Sequence, residues 1–205
     1  LLQTFRIVTL LALIGNTTYR FYYSAEEDII GQKQLFYTSW SLYITIYTML
    51  FVILTSFYTH HRGYDPEKPW LVNLLLHNNL FFSLSLGMQA VTTLIFWVGI
   101  MFFTDIGNHP VSAALDHSLA FFLLITDYIV VNWVFRWTYS YVFIFVSLLY
   151  IPVNASYTVT TDDPIYSSIT WDGYKTAIFV PLIMLVGVSA FALLLTIARK
   201  RYQKH

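Results

Sequence analysis

Along this chain, apolar residues run in six long blocks, and nearly all of the charge falls between them. The blocks span about 5–22, 35–58, 80–103, 113–135, 141–157 and 177–198. A bilayer core of about 30 Å is crossed by roughly 20 mostly apolar residues in a helix. The pattern therefore predicts an all-α, polytopic integral membrane protein: one domain over 1–205, a bundle of six transmembrane helices, both termini on the same side. The first block is the least regular, because Asn16 and Arg20 interrupt it. Pro152 and Pro181 fall inside blocks five and six and predict kinks, which membrane helices tolerate. There is no internal repeat and no low-complexity segment.

Composition strengthens this picture. Hydrophobic residues make up 57% of the chain and charged residues 11%, and mean hydropathy is +0.60. A soluble domain carries about 25% charged residues, so most of this surface is expected to face lipid. Aromatics reach 19%, which suits interfacial belts of Tyr and Trp. The formal net charge is zero, so there is no overall basic field to attract nucleic acid. The absence of cysteine excludes disulfides, thiolate metal sites and a Cys nucleophile. The chain opens on Leu1 rather than Met, which reads as a removed presequence or a shortened chain. Loop charges set an orientation. Arg6, Arg62, Lys68, Arg136, Arg199, Lys200, Arg201 and Lys204 fall on one side, and Arg20, Lys33 and Lys175 on the other. That asymmetry places both termini inside. The outer side is acidic, with Glu26, Glu27, Asp28, Asp105, Asp162, Asp163 and Asp172, and its longest loop, about Thr158 to Thr176, is a candidate lid.

Polar residues at membrane depth carry the candidate chemistry. Thr38, Ser41, Thr45 and Thr48 follow 3-4-3 spacing and share one stripe of the second helix, with Thr55 further on. Such a stripe serves helix packing through small residues and interhelical hydrogen bonds, or it lines a site. The fourth helix carries Asp116, His117, Thr126, Asp127 and Asn132. His117 and Asp127 share a stripe but lie about 15 Å apart along the axis, so they form no dyad with each other. An ionisable residue inside a membrane helix is a functional candidate by default. With helices two and four as neighbours, Thr38 meets His117 near the outer interface, and Thr45 or Thr48 lies level with Asp127 near mid-membrane. A hydroxyl beside an imidazole is the minimal unit for nucleophilic catalysis. At the headgroup boundary it would take an acyl-lipid ester.

These residues resemble a known family. Phe36-Tyr37-Thr38-Ser39-Trp40-Ser41-Leu42 is similar to the Tyr-Leu-Thr-Asn-Trp element of the insect rolling-stone proteins and to the Phe-Leu-Thr element of the androgen-induced membrane hydrolases. His117 with Asp127 at plus ten resembles the family's His with an acidic residue at that distance. Ile165-Tyr166-Ser167-Ser168-Ile169-Thr170-Trp171 resembles the rolling-stone Ile-Tyr-Pro-x-Leu-Asp-Trp element, with Ser167 and Thr170 in place of the Pro and Asp. Ser118, Leu119 and Ala120 lack the further polar residue often found after the family's His. The resemblance runs from about Phe36 to Ala177. It implies a Thr nucleophile at Thr38, a His base at His117 and fatty-acid esters of hydroxy fatty acids as substrates in the catalytic members. Other members, rolling stone among them, have no established reaction.

The remaining features change little. His60, His61, His77 and Asp65 are read as solvated or loop residues, and neither a metal nor another cofactor is expected. Gln89, Thr92 and Thr93 are read as interhelical hydrogen-bonding groups. Asn16-Thr17-Thr18 and Asn154-Ala155-Ser156 fit the glycosylation sequon but lie close to the membrane. Arg199-Lys200-Arg201 is read as an anchor to inner headgroups. No phosphate loop, dinucleotide fingerprint or serine-hydrolase elbow occurs. Three functions stay open. The first is an acyl-lipid ester hydrolase built on Thr38 and His117, with Ser41, Thr45, Thr48, Asp127 and Trp171 around its substrate path. The second is a non-catalytic membrane component, either an accessory subunit or an adhesion or fusion factor. The third is a small transporter or proton path through Asp127. Expected partners are membrane lipids and, on the second reading, other membrane-protein subunits. The endoplasmic reticulum, plasma membrane and mitochondrial inner membrane fit equally.

Overall fold

The computed structural model describes residues 1–26, 34–63, 65, 67–97, 110–131, 133–166, 169–171 and 173–202. Among them are six helices and no strands: α1 (Leu2–Glu26), α2 (Tyr37–Arg62), α3 (Pro69–Ile95), α4 (Pro110–Val130), α5 (Tyr139–Thr161) and α6 (Tyr174–Tyr202). Four of them are long and apolar enough to cross a membrane: α2, α3, α5 and the Thr176–Arg201 stretch of α6. The outward surface is apolar, with Leu54, Phe122, Ile129, Phe145, Leu185 and Leu193 all exposed. The polar groups Thr45, Ser83, Ser85 and Gln89 are instead buried. This inversion suits a lipid solvent, in which helices associate through packing and hydrogen bonds rather than through hydrophobic exclusion.

Most helices extend about a turn beyond their apolar blocks, because helix geometry continues through the polar residues that flank a membrane core. Two boundaries among the described residues differ by more, and the expected end of the third helix near Phe103 lies outside those residues. The third helix starts at Pro69, not near Leu80. Pro69 occupies the first turn, where a missing N–H costs nothing, and the following turns are helical although Asn73, His77, Asn78 and Asn79 dilute their hydropathy. The fourth helix ends at Val130, not near Phe135. Beyond it the chain turns so that Trp133 and Phe135 are buried. Asn132, read as part of that helix, lies outside the described residues, as do Glu27, Asp28, Lys33, Asp105, Ser167, Ser168, Asp172 and Lys204.

The helix α3 is central and packs against α2, α4, α5 and α6. One apolar cluster gathers Leu13, Met49, Phe82, Leu86, Leu124 and Phe191 from five helices. A second centres on Phe143 of α5 with Leu84, Met88 and Val91 of α3. Phe143 fits against Gly187 of α6 so closely that a Cβ there would lie 2.7 Å from its Cζ and 3.0 Å from Val91 Cγ2.

Candidate functional site

The polar stripe of α2 divides into two parts with different fates. Ser41 Oγ lies 3.5 Å from Thr92 Oγ1. Gln89 Nε2 donates to Thr45 Oγ1 at 3.1 Å. Thr48 Oγ1 and Ser85 Oγ are 2.7 Å apart, and Asn78 Nδ2 donates to Thr55 Oγ1 at 2.8 Å. These pairs form an antiparallel polar seam between α2 and α3. Ser41, Thr45 and Thr48 therefore face α3 within the bundle, and their hydroxyls are occupied there.

Thr38 lies at the end of the same stripe, beyond the reach of the seam. Its Oγ1 is 3.3 Å from His117 Nδ1 of α4, and the residue is 3% exposed. His117 is held on two sides. Its ring stacks on Phe96, with centroids 4.5 Å apart and planes 10° from parallel. Its carbonyl accepts from Thr93 Oγ1 at 2.6 Å, so one of the two Thr residues at the end of α3 positions the backbone that carries the imidazole. With the imidazole proton on Nε2, Nδ1 accepts from the Thr38 hydroxyl. Arg20 of α1 closes this end of the bundle, its Nε 3.4 Å from Asp116 Oδ2 and its Nη2 donating to Ser39 Oγ at 3.2 Å.

The segment between α5 and α6 folds over Thr38. Ile165 and Ile169 are buried beneath it. The Tyr166 hydroxyl accepts from the Tyr37 backbone N–H at 3.1 Å, and it also hydrogen-bonds the side chains of Thr38 and Tyr150. The Tyr166 ring meets Phe36 edge-on at 5.3 Å. Burial pushes the Tyr166 phenol above its ordinary value, which keeps it a neutral proton donor. Trp171 pins the far side of the segment. Its indole Nε1 donates to Asn154 Oδ1 at 2.6 Å, and its backbone N–H donates to Thr176 Oγ1 at 2.9 Å. Its φ of 62° lies in the left-handed region, costly for a bulky residue and held here by those two bonds. Trp171 is thus an anchor of the loop on α5 and is no part of the membrane stripe.

Asp127 lies elsewhere and has other partners. It sits in the last turn of α4 and is fully buried, while Arg6 is 4% exposed. Arg6 Nε donates to Asp127 Oδ2 at 2.7 Å, and Nη2 donates to Oδ1 at 3.0 Å. Arg6 Nη1 reaches Ser56 Oγ at 2.8 Å. Trp133 Nε1 adds a bond to Oδ1 at 2.8 Å, and its ring stacks on Phe82 at 3.9 Å. Thr45 and Thr48, expected level with Asp127, bond α3 instead. A bidentate guanidinium both neutralises the carboxylate and fills its lone pairs, which a hydroxyl cannot. Arg6 is correspondingly no loop charge.

Other expectations are also corrected. Arg201 turns back to donate to the carbonyls of Tyr128 at 2.6 Å and Ile129 at 2.8 Å, closing the C-terminus of α4 as cations favourably do. Asn154 is buried and bonded through its amide, and Asn16 lies mid-helix in α1, so neither sequon sits on an exposed loop. His60 and His61 occupy the last turn of α2 rather than a loop. His77 lies within α3 and meets Tyr47 Oη at 3.0 Å. Among the described residues, no three metal-ligating side chains gather.

Arg6, Trp133 and Tyr166 are the participants that the sequence reading missed. An Arg inside the first apolar block and an Asp inside the fourth are opposite charges at buried positions, where each is costly without the other. Tyr166 stood inside the Ile165–Trp171 element without a role. No family model, curated protein or solved structure matches the chain.

Proposed function

We propose that this chain crosses the membrane six times with both termini on one side, and hydrolyses acyl-lipid esters with Thr38 as nucleophile and His117 as base. The observation that carries the reading is the 3.3 Å contact between Thr38 Oγ1 and His117 Nδ1. It lies at the end of the bundle, where an acyl chain can lie along the helices while its ester stays near water. The likeness of the segments around Thr38 and His117 to those of the androgen-induced membrane hydrolases and their wider family supports the same reaction.

In this reaction Thr38 Oγ1 attacks the ester carbonyl as its proton passes to His117 Nδ1. The tetrahedral intermediate collapses to an acyl-Thr38 ester, and the alcohol leaves with the proton that His117 returns. Water then attacks the acyl ester with His117 again accepting a proton, and collapse releases the fatty acid and restores the Thr38 hydroxyl. Thr38 is the second residue of α2, where the partial positive charge of a helix N-terminus favours the negative charge that develops. The membrane lipid is both solvent and substrate source.

The test is hydrolysis of a long-chain fatty-acid ester by purified protein. Thr38→Ala and His117→Ala should each reduce turnover to background while the protein stays folded. The double variant should be no worse than either, since residues acting as a unit are non-additive. Thr38→Ser retains the hydroxyl and should retain measurable activity. Full activity in Thr38→Ala would remove the proposal.

A second reading, a non-catalytic membrane component, draws support from the stripe itself. Ser41, Thr45 and Thr48 serve helix packing, and Phe96 covers one face of His117. On that reading the Thr38–His117 contact is a helix-to-helix hydrogen bond, and wild-type protein hydrolyses no acyl ester. A proton path through Asp127 has no such support, because Arg6 already holds that carboxylate.

A further inference from the structure

The hydrogen bonds around Thr38 have a direction that can be followed atom by atom. The Trp171 indole N–H can only donate, so the Asn154 atom 2.6 Å away is its carbonyl oxygen. The Asn154 amide nitrogen therefore faces Tyr150 and donates to its hydroxyl at 3.3 Å. That leaves the Tyr150 proton for Tyr166, to which it is hydrogen-bonded. The Tyr37 backbone N–H, again donor only, fills a second acceptor position of the Tyr166 oxygen. With both lone pairs engaged, the Tyr166 O–H has one remaining direction, toward Thr38. The Thr38 proton then points to His117 Nδ1. With the imidazole proton on Nε2, the chain of donors runs Trp171, Asn154, Tyr150, Tyr166, Thr38, His117, and it begins on an indole N–H that can only donate.

We propose that Tyr166 is a further catalytic residue of this site: its phenol donates to Thr38 Oγ1 at rest and to the ester oxygen that becomes negative when Thr38 attacks. The inference rests on the hydrolase reading above. The attacked carbonyl oxygen becomes bound to the same carbon as Thr38 Oγ1, so a donor already in contact with Oγ1 is in reach of both oxygens. The phenol does not lose its proton. It exchanges one acceptor for another while its own oxygen stays held by Tyr37 and Tyr150, so little reorganisation is needed during the reaction. Anchoring through Trp171 explains why a loop residue can serve in a place that demands fixed geometry.

Tyr166→Phe removes one oxygen and keeps the ring that packs on Phe36. Loss of a single oxyanion donor lowers kcat by about 100-fold or more. Three measurements on wild-type and variant protein in detergent separate the outcomes. They are kcat and KM for p-nitrophenyl dodecanoate, the inhibition constant of dodecylboronic acid, which forms a tetrahedral adduct on a hydroxyl, and the affinity for an uncleavable long-chain ether. The proposal expects kcat and boronate affinity to fall together while KM and ether affinity stay within about threefold, as expected when an interaction is made in the transition state alone. Undiminished kcat in Tyr166→Phe, with active wild-type protein, overturns the role of Tyr166 and leaves the hydrolase reading standing. A parallel loss of ether binding and thermal stability overturns it in favour of a structural role. Wild-type protein that neither hydrolyses ester nor binds the boronate overturns the hydrolase reading, and this inference with it.

Discussion

A threonine inside a membrane helix has an economical default, in which its hydroxyl bonds the carbonyl one turn back. Thr45, Thr48, Thr55 and Thr59 all take it, through the carbonyls of Ser41, Ile44, Phe51 and Thr55. Thr38 cannot. It is the second residue of α2, and the residue four back, Gln34, precedes the helix. Its hydroxyl is left for His117 and Tyr166. The 3-4-3 spacing was legible in the sequence, but spacing alone gives every hydroxyl on the stripe the same standing; the start of the helix is what separates Thr38 from Thr48. Asp127 shows the opposite gap. Its burial followed from sequence, whereas its partner lay on α1, 121 residues away, and no local pattern reaches so far. The pair predicts that Asp127→Leu or Arg6→Met alone strands a buried charge and costs about 3–5 kcal/mol. Asp127→Asn should destabilise too, since Arg6 would keep its charge without a counterion. The double variant Arg6→Met/Asp127→Leu should recover most of the loss, as contacting residues are non-additive. Thermal unfolding in detergent measures this, and simple addition of the two single losses would contradict the ion pair.

At the scale of elements, the six apolar blocks each became a helix, because a long run of apolar side chains leaves the backbone few other ways to satisfy its N–H and C=O groups. The ends were less legible. Composition fades gradually at Pro69–Asn79, and the turn after Val130 depends on Trp133 finding Asp127. How tightly the elements fit was not legible at all, since a glycine in an apolar run looks alike whether it faces lipid or a ring. A Cβ on Gly187 would lie 2.7 Å from the Phe143 ring, inside van der Waals contact, whereas one on Gly15 of α1 would meet nothing within 4 Å. Gly187→Ala should therefore cost about 1–3 kcal/mol through overpacking. Gly15→Ala should be neutral or slightly stabilising, because alanine is the better helix former. Equal unfolding temperatures for the two variants would show that α6 does not pack on Phe143 in this way. The α2–α3 seam should be more forgiving. Gln89→Leu removes one interhelical bond, worth about 0.6 kcal/mol in a membrane protein.

At the scale of the whole molecule, one end of the bundle gathers Arg20, Thr38, His117 and the Tyr166 loop, and the opposite end gathers Arg6, Asp127, Trp133 and Arg201. The proposed threading places these ends on opposite sides of a membrane. Because the chain has no cysteine, single substitutions at Asp65 and Asp163 report the two sides directly, and an impermeant thiol reagent should reach each from one side only, never the same one. Labelling of both from a single side would overturn the threading. The proposed reaction depends on three distant segments meeting at one end, and one measurement asks whether they do so productively. Purified protein, mixed with an activated long-chain acyl ester and quenched during turnover, should carry one acyl group, mapped by peptide mass spectrometry to Thr38. The adduct should be missing in Thr38→Ala and in His117→Ala. Turnover by wild-type protein with the acyl group on another residue, or the same adduct at Thr38 in His117→Ala, would contradict the account.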